Sequence, residues 1–161
     1  MESLHAPWRI EYILAPKPQL SASLFTRIAQ STDDEANFVV ARDRTCWALL
    51  NRYPYNGGHL MVVPYKQCPD LNGLTDAELA DLWQLARRCM NALAEVMKPD
   101  GFNLGINLGR VAGAGITEHL HIHIVPRWLG DTNFMPVIAE TGVVPQALGE
   151  LAARLRSVLA R

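Results

Sequence analysis

The chain has almost no net charge: 15 lysines and arginines against 16 aspartates and glutamates leave −1 with histidine neutral. It also has no long basic run, so a nucleic-acid groove is not expected, while a local site for a small anion stays open. Cysteine is scarce. Cys46, Cys68 and Cys89 stand far apart, odd in number and without a Cys-x-x-Cys pair. No secretory leader opens the sequence, and the three are expected as reduced thiols in the cytoplasm, packed as small apolar side chains. No apolar run is long enough to cross a bilayer, and the stretch around Leu60–Val63 is far too short. Internal repeats, low-complexity tracts and linker composition are missing too. What remains is an ordinary globular composition, 49% hydrophobic and 19% charged over 161 residues, enough for one domain with a substantial core.

Prolines and glycines punctuate the chain. Pro7, Pro16 and Pro18 exclude a continuous helix over residues 1–20, and an arm carrying Trp8, Tyr12 and Ile13 is expected to lie on the domain or on a partner chain. Ser21–Gln30 fits a short helix. Asn37–Ala41 and Cys46–Leu50 read as paired strands around the charged turn Arg42-Asp43-Arg44. Tyr53–Gly58 reads as a loop and His59–Pro64 as the next strand. The clearest helix covers Thr75–Met97. Thr75 and Glu78 form a capping box, and Leu79, Leu82, Trp83, Leu85, Ala86, Met90, Leu93 and Met97 recur at helical spacing. Phe102–Leu108 reads as a strand, Gly109–Gly115 as a glycine-rich stretch, and residues from about Pro145 to Leu159 as a second helix. The pattern is one antiparallel α+β domain over residues 1–161, with 129–161 as a C-terminal extension.

One stretch stands apart, Glu118 to Trp128, "EHLHIHIVPRW". Alternation along a strand puts His119, His121 and His123 on one face and Leu120, Ile122 and Ile124 on the other. The aliphatic face reads as core. Three adjacent imidazoles make poor core, because buried ring nitrogens need partners. A solvated polar face, a metal site and phosphate chemistry compete as explanations. Imidazole is the commonest metal ligand, and His119, His121 and His59 form one candidate set. Imidazole is also a nucleophile toward phosphorus, and its neighbours can donate to phosphate oxygens. The surroundings favour phosphate. The preceding glycines bring backbone N–H groups close to an anion, His59 follows Gly57-Gly58 at another strand start, and Arg127 lies just beyond the histidines.

His119-Leu120-His121-Ile122-His123-Ile124-Val125 resembles the signature of the histidine-triad family. Asn51–Gln67, Phe102–Trp128 and the tail Gly130–Val137 are similar to the same family, and the tail resembles the branch of dinucleoside tetraphosphate phosphorylases and related hydrolases. The resemblance implies an antiparallel sheet of about five strands, one long central helix and a C-terminal helix. It implies His121 as nucleophile toward the α-phosphorus of a nucleotide, forming a nucleotidyl-histidine. A main-chain carbonyl near His119 would orient it, and His123 and His59 would contact phosphate oxygens. Asn107 would lie near the α-phosphate and leaving group, and Asn51 on the ribose hydroxyls. Leu24, Phe25 and Leu49 would sandwich the base, with core packing an equal alternative for those three.

Two departures from the family pattern matter. Relatives with a structural zinc carry two cysteines and a histidine where Ser23, Thr26 and Gln67 stand, so no metal and no cofactor are expected here. Relatives with a Gln-Ser or Gln-Thr pair have it where Gly115-Ile116 stand, so the backbone near Gly115, or Thr117, would hold phosphate instead. The expected function is nucleotidyl transfer to water or phosphate from dinucleoside polyphosphates such as diadenosine tetraphosphate. A nucleoside phosphoramidase, a slow nucleotide-sensing module and a metalloenzyme are the alternatives. The resemblance also implies a homodimer, with Trp83, Met90, Trp128, Phe134 and Met135 as candidate interface residues and no nucleic-acid or membrane partner.

Overall fold

Alternation of apolar residues builds a sheet with two dry faces rather than one. The computed structural model describes residues 22–131 and 147–161. The expected arm, the candidate interface residues Phe134 and Met135, and the 130–137 tail except Gly130 and Asp131 lie outside the described residues. In chain order the elements are α1 (Leu24–Gln30), β1 (Val39–Arg42), β2 (Cys46–Leu50), β3 (Leu60–Pro64), α2 (Asp76–Met97), β4 (Gly101–Ile106), β5 (Ile122–Arg127) and α3 (Leu148–Leu159). The five strands form one antiparallel sheet in the order β1-β2-β3-β5-β4.

One face of the sheet presents Cys46, Ala48, Leu50, Leu60, Val62, Ile122 and Ile124, and packs against α2 and α3. The period of α2 explains its place: Leu82, Leu85, Ala86, Cys89 and Leu93 are buried, and Thr75 with Glu78 closes the capping box expected from the sequence. Leu151, Ala152 and Leu155 of α3 join the same core, so the C-terminal helix is part of the domain's interior. The other face presents Val39, Trp47, Leu49, Met61 and Val63, with Phe25 of α1 laid over them. Among the described residues one short helix, α1, packs on this face.

Element ends moved for identifiable reasons. Helix α1 starts at Leu24, not Ser21, because Ser23 is extended and its hydroxyl caps the Thr26 N–H. β1 starts at Val39 because Phe38 adopts φ +55°, a left-handed turn that a strand cannot contain. β5 starts at Ile122, so His119 and His121 fall just before the strand. Continuing the β3–β5 register would set Leu120 against Pro64, which has no N–H to give. All three cysteines are free and buried, and burial pushes the Cys46 thiol up to about 11 and Cys89 up to about 12, as expected of inert core thiols.

Candidate active site

Leu49, Met61 and His123 sit directly opposite one another across β2, β3 and β5, so one row of side chains runs from the apolar face into the histidines. Above that row lies a cavity of about 420 Å³. Of the candidate residues, Leu24, Phe25, Leu49, Asn51, Gly115, His121 and His123 line it. His119, His59, Asn107 and Thr117 do not. His119 and His59 stand behind the lining, 0% and 1% exposed. Asn107 is one step removed: its amide nitrogen would be the nearest neighbour, at 3.8 Å, of a Cβ on Gly113, which does line the cavity.

The hydrogen bonds fix where the ring protons are. His59 Nδ1 accepts the Tyr55 N–H at 3.1 Å, and a main-chain N–H can only donate. The His59 proton is therefore on Nε2, which faces His123 Nδ1 at 2.9 Å. His123 in turn carries its proton on Nε2 and is a donor. Tyr55 stacks on His59 at 4.7 Å and 22° and keeps that ring in plane. His121 Nδ1 lies 2.9 Å from the His119 carbonyl, which only accepts, so Nδ1 holds the proton. Its Nε2 is left with the lone pair. Burial lowers the pKa of both His119 and His121 from the ordinary 6.5, against weaker opposing bonds to the Pro64 and His119 carbonyls. A neutral, oriented imidazole beside a ring that donates is an arrangement for attacking an electrophile that bears anionic oxygens.

The loop that carries Tyr55 is held from below. Asn56 Nδ2 donates to the Pro126 carbonyl at 3.1 Å and to Asp131 at 2.9 Å, while Arg127 grips the Asp131 carboxylate with two nitrogens at 2.6 and 2.9 Å. Gly58, at φ +76° and packed against Met97 and Pro126, lets the chain turn into His59.

Ser23, Thr26, Gln67 and His119 come together, and the set does not suit zinc. The Ser23 and Thr26 hydroxyls and the Gln67 amide oxygen are weak zinc ligands, and they are already engaged: Ser23 Oγ with His119 Nδ1 at 2.6 Å, the Thr26 hydroxyl with Gln67 Oε1 at 2.9 Å. The three-histidine metal set fails on geometry as well, since the rings of His119 and His59 face protein groups at both nitrogens. Among the described residues no group of three or more His, Cys, Asp or Glu could hold a metal ion.

The sequence reading missed Asn37, Phe38, Tyr55 and Met61 on the lining. Met61 was findable, because it alternates with the core residues Leu60 and Val62 and must face the other way. Phe38 and Tyr55 come from turns, where no periodicity marks the direction of a side chain.

Known proteins match this arrangement. The HIT domain model covers residues 32–128. The AP-4-A phosphorylase of Mycobacterium tuberculosis (strain ATCC 25618 / H37Rv) is 44% identical across 100% of this chain and 86% of its own. The asymmetrical bis(5'-nucleosyl)-tetraphosphatase of Schizosaccharomyces pombe is 34% identical over 58% of this chain and 50% of its own. Among solved structures, a Zn-bound histidine triad family protein from Mycobacterium smegmatis superposes with a TM-score of 0.69 at 26% identity, covering 86% of this chain and 94% of that one.

Proposed function

The chain belongs to the HIT-domain family, and from that premise we propose that it is a nucleotidyl-transferring enzyme acting on dinucleoside polyphosphates, with His121 as nucleophile and phosphate as acceptor. The observation that carries this reading is the His121 ring, tethered through Nδ1 to the His119 carbonyl and lining the cavity with a lone pair on Nε2. A base would lie among Leu24, Phe25 and Leu49, with the ribose at Asn51. Nε2 attacks the α-phosphorus, the bond from that phosphorus to the bridging oxygen breaks, and the nucleoside polyphosphate leaves. The acceptor then attacks the nucleotidyl-histidine and frees the ring. His123, donating from Nε2, stabilises the oxygens on which charge collects. His59 acts through His123 rather than by touching phosphate, because it lies behind that ring. The backbone of the glycine-rich stretch near Gly115 serves the phosphates, with the Asn107 amide behind Gly113 and Thr117 off the lining as candidates for the leaving group. Phosphate is preferred over water as acceptor because the M. tuberculosis relative is named a phosphorylase.

Mass spectrometry of products from diadenosine tetraphosphate tests this. ADP and ATP are expected, and only with inorganic phosphate present. AMP and ATP without phosphate would make the acceptor water, and no product under either condition would overturn the reading.

A homodimer is proposed through the β4 edge. Among the described residues β4 pairs with β5 alone, and Leu104 on it and Trp83 on α2 are 40% and 47% exposed. Sedimentation at micromolar concentration should give twice the chain mass, and a monomer there would count against this interface. No helix among the described residues is long and apolar enough to cross a membrane. Three free, buried cysteines suit the cytoplasm, where we place the enzyme.

A further inference from the structure

The polar cluster behind His121 has one consistent proton assignment, and it points somewhere. His119 Nε2 faces the Pro64 carbonyl at 2.9 Å and must donate to it. In the neutral ring that leaves Nδ1 as an acceptor, so the Ser23 hydroxyl donates its proton to it across 2.6 Å. Gln67 Oε1 accepts from the Ser23 N–H at 3.1 Å and from the Thr26 hydroxyl at 2.9 Å. Both hydroxyl protons and the His119 ring proton are spoken for, and Ser23 is 3% exposed. The same Ser23 oxygen accepts the Thr26 N–H at the start of α1.

The peptide unit between His119 and Leu120 is the one that matters for chemistry. Its carbonyl takes the His121 Nδ1 proton, and its N–H donates to the Cys68 carbonyl at 2.7 Å. That N–H bond steadies one end of the peptide plane. The His119 ring, held at both nitrogens, steadies the other. Phe25, two residues after Ser23, lies against both imidazoles, with ring centroids 5.6 Å from His119 and 5.0 Å from His121.

We propose that Ser23 is a positioning residue for His121: its hydroxyl, acting through the His119 ring, holds the carbonyl that orients the nucleophile and ties that carbonyl to α1, the wall of the base pocket. Binding energy gained on α1 is thereby available to the chemical step. The inference rests on the reading of His121 as nucleophile.

Ser23→Ala and Ser23→Gly test it together, since both remove the hydroxyl while glycine remains a good helix cap. With diadenosine tetraphosphate and phosphate, kcat should fall about tenfold to a hundredfold in both variants with KM within about twofold. Ring-nitrogen NMR should show His121 as the Nδ1–H tautomer in the native protein and as a mixture in both variants. Four results would overturn the proposal. They are a kcat within about twofold of native in both variants, a loss in the alanine variant alone (which would mean capping), a fall in KM-limited affinity instead of kcat, or an unchanged His121 tautomer. If the native protein turns nothing over, the proposed function fails separately, and the tautomer measurement still decides the role of Ser23.

Discussion

Replacing His121 with alanine lowers kcat on diadenosine tetraphosphate by at least about a thousandfold and leaves nucleotide binding within about threefold. The asymmetry follows from geometry. His121 is one of many groups lining a largely apolar cavity, so its loss removes little contact area, but it is the histidine whose lone pair meets the cavity. His123 cannot substitute, because its Nε2 carries the proton that His59 leaves it. Rapid-quench kinetics and calorimetry with a nucleotide separate the two effects. A residual rate within about tenfold of native would mean that another group attacks phosphorus.

The pH profile follows from the same ring. Attack requires neutral His121, and burial lowers its pKa from 6.5. The acid limb of kcat/KM, which reports the free enzyme, should therefore lie below pH 6.5. The sign for stability agrees. Between the folded and unfolded values the unfolded chain binds a proton that the folded one refuses, so this contribution is complete above pH 6.5 and is lost as pH falls below it. An acid limb above 6.5 would contradict the burial argument.

Gly58→Ala is expected to destabilise the fold by about 2–4 kcal/mol. The backbone stands at φ +76°, which an L side chain disfavours, and a Cβ there would come within 2.5 Å of Met97 Sδ and 3.2 Å of Pro126 Cγ. The thioether is flexible and can yield, whereas the proline ring in β5 cannot move without its strand. The next residue is His59, so the shift should also disturb the pair with His123. Urea titration gives the stability change, and kcat measured well below the melting temperature gives the functional one. A loss below about 1 kcal/mol would show that the loop relaxes around the added carbon.

The sequence revealed the strands and the long helix because their signals are local. The Thr75–Glu78 box and the stripe from Leu79 to Met97 needed no tertiary information, and the alternation of Leu60 to Val63 and of His119 to Ile124 identified both faces. The cavity walls that come from turns were hidden. Tyr55 reaches the site because its N–H bonds His59, and that loop is held by Asp131, 75 residues from Asn56. The roles of Ser23 and Gln67 were hidden for the same reason: their partners are 96 and 44 residues away. Alternation placed His119 on the same face as His121 and His123, but its ring lies behind the cavity lining, bonded to the Pro64 carbonyl at the end of β3.

The strand that follows His121 lies inside the sheet, bonded on one side to β3 and on the other to β4, whereas the cavity's outer walls come from a seven-residue helix and from loops over a floor of β2 and β3. These parts should open on different clocks. Amides of β5 exchange with solvent only when the whole domain unfolds, while those of α1 and of residues 51–58 exchange through local fluctuations of much lower free energy. The proposed chemistry is thus expected beside slow-exchanging strand amides, and the outer walls of the cavity among faster-exchanging ones. Substitutions in those outer walls are expected to change the cavity while leaving the tether from His121 to the His119 carbonyl in place.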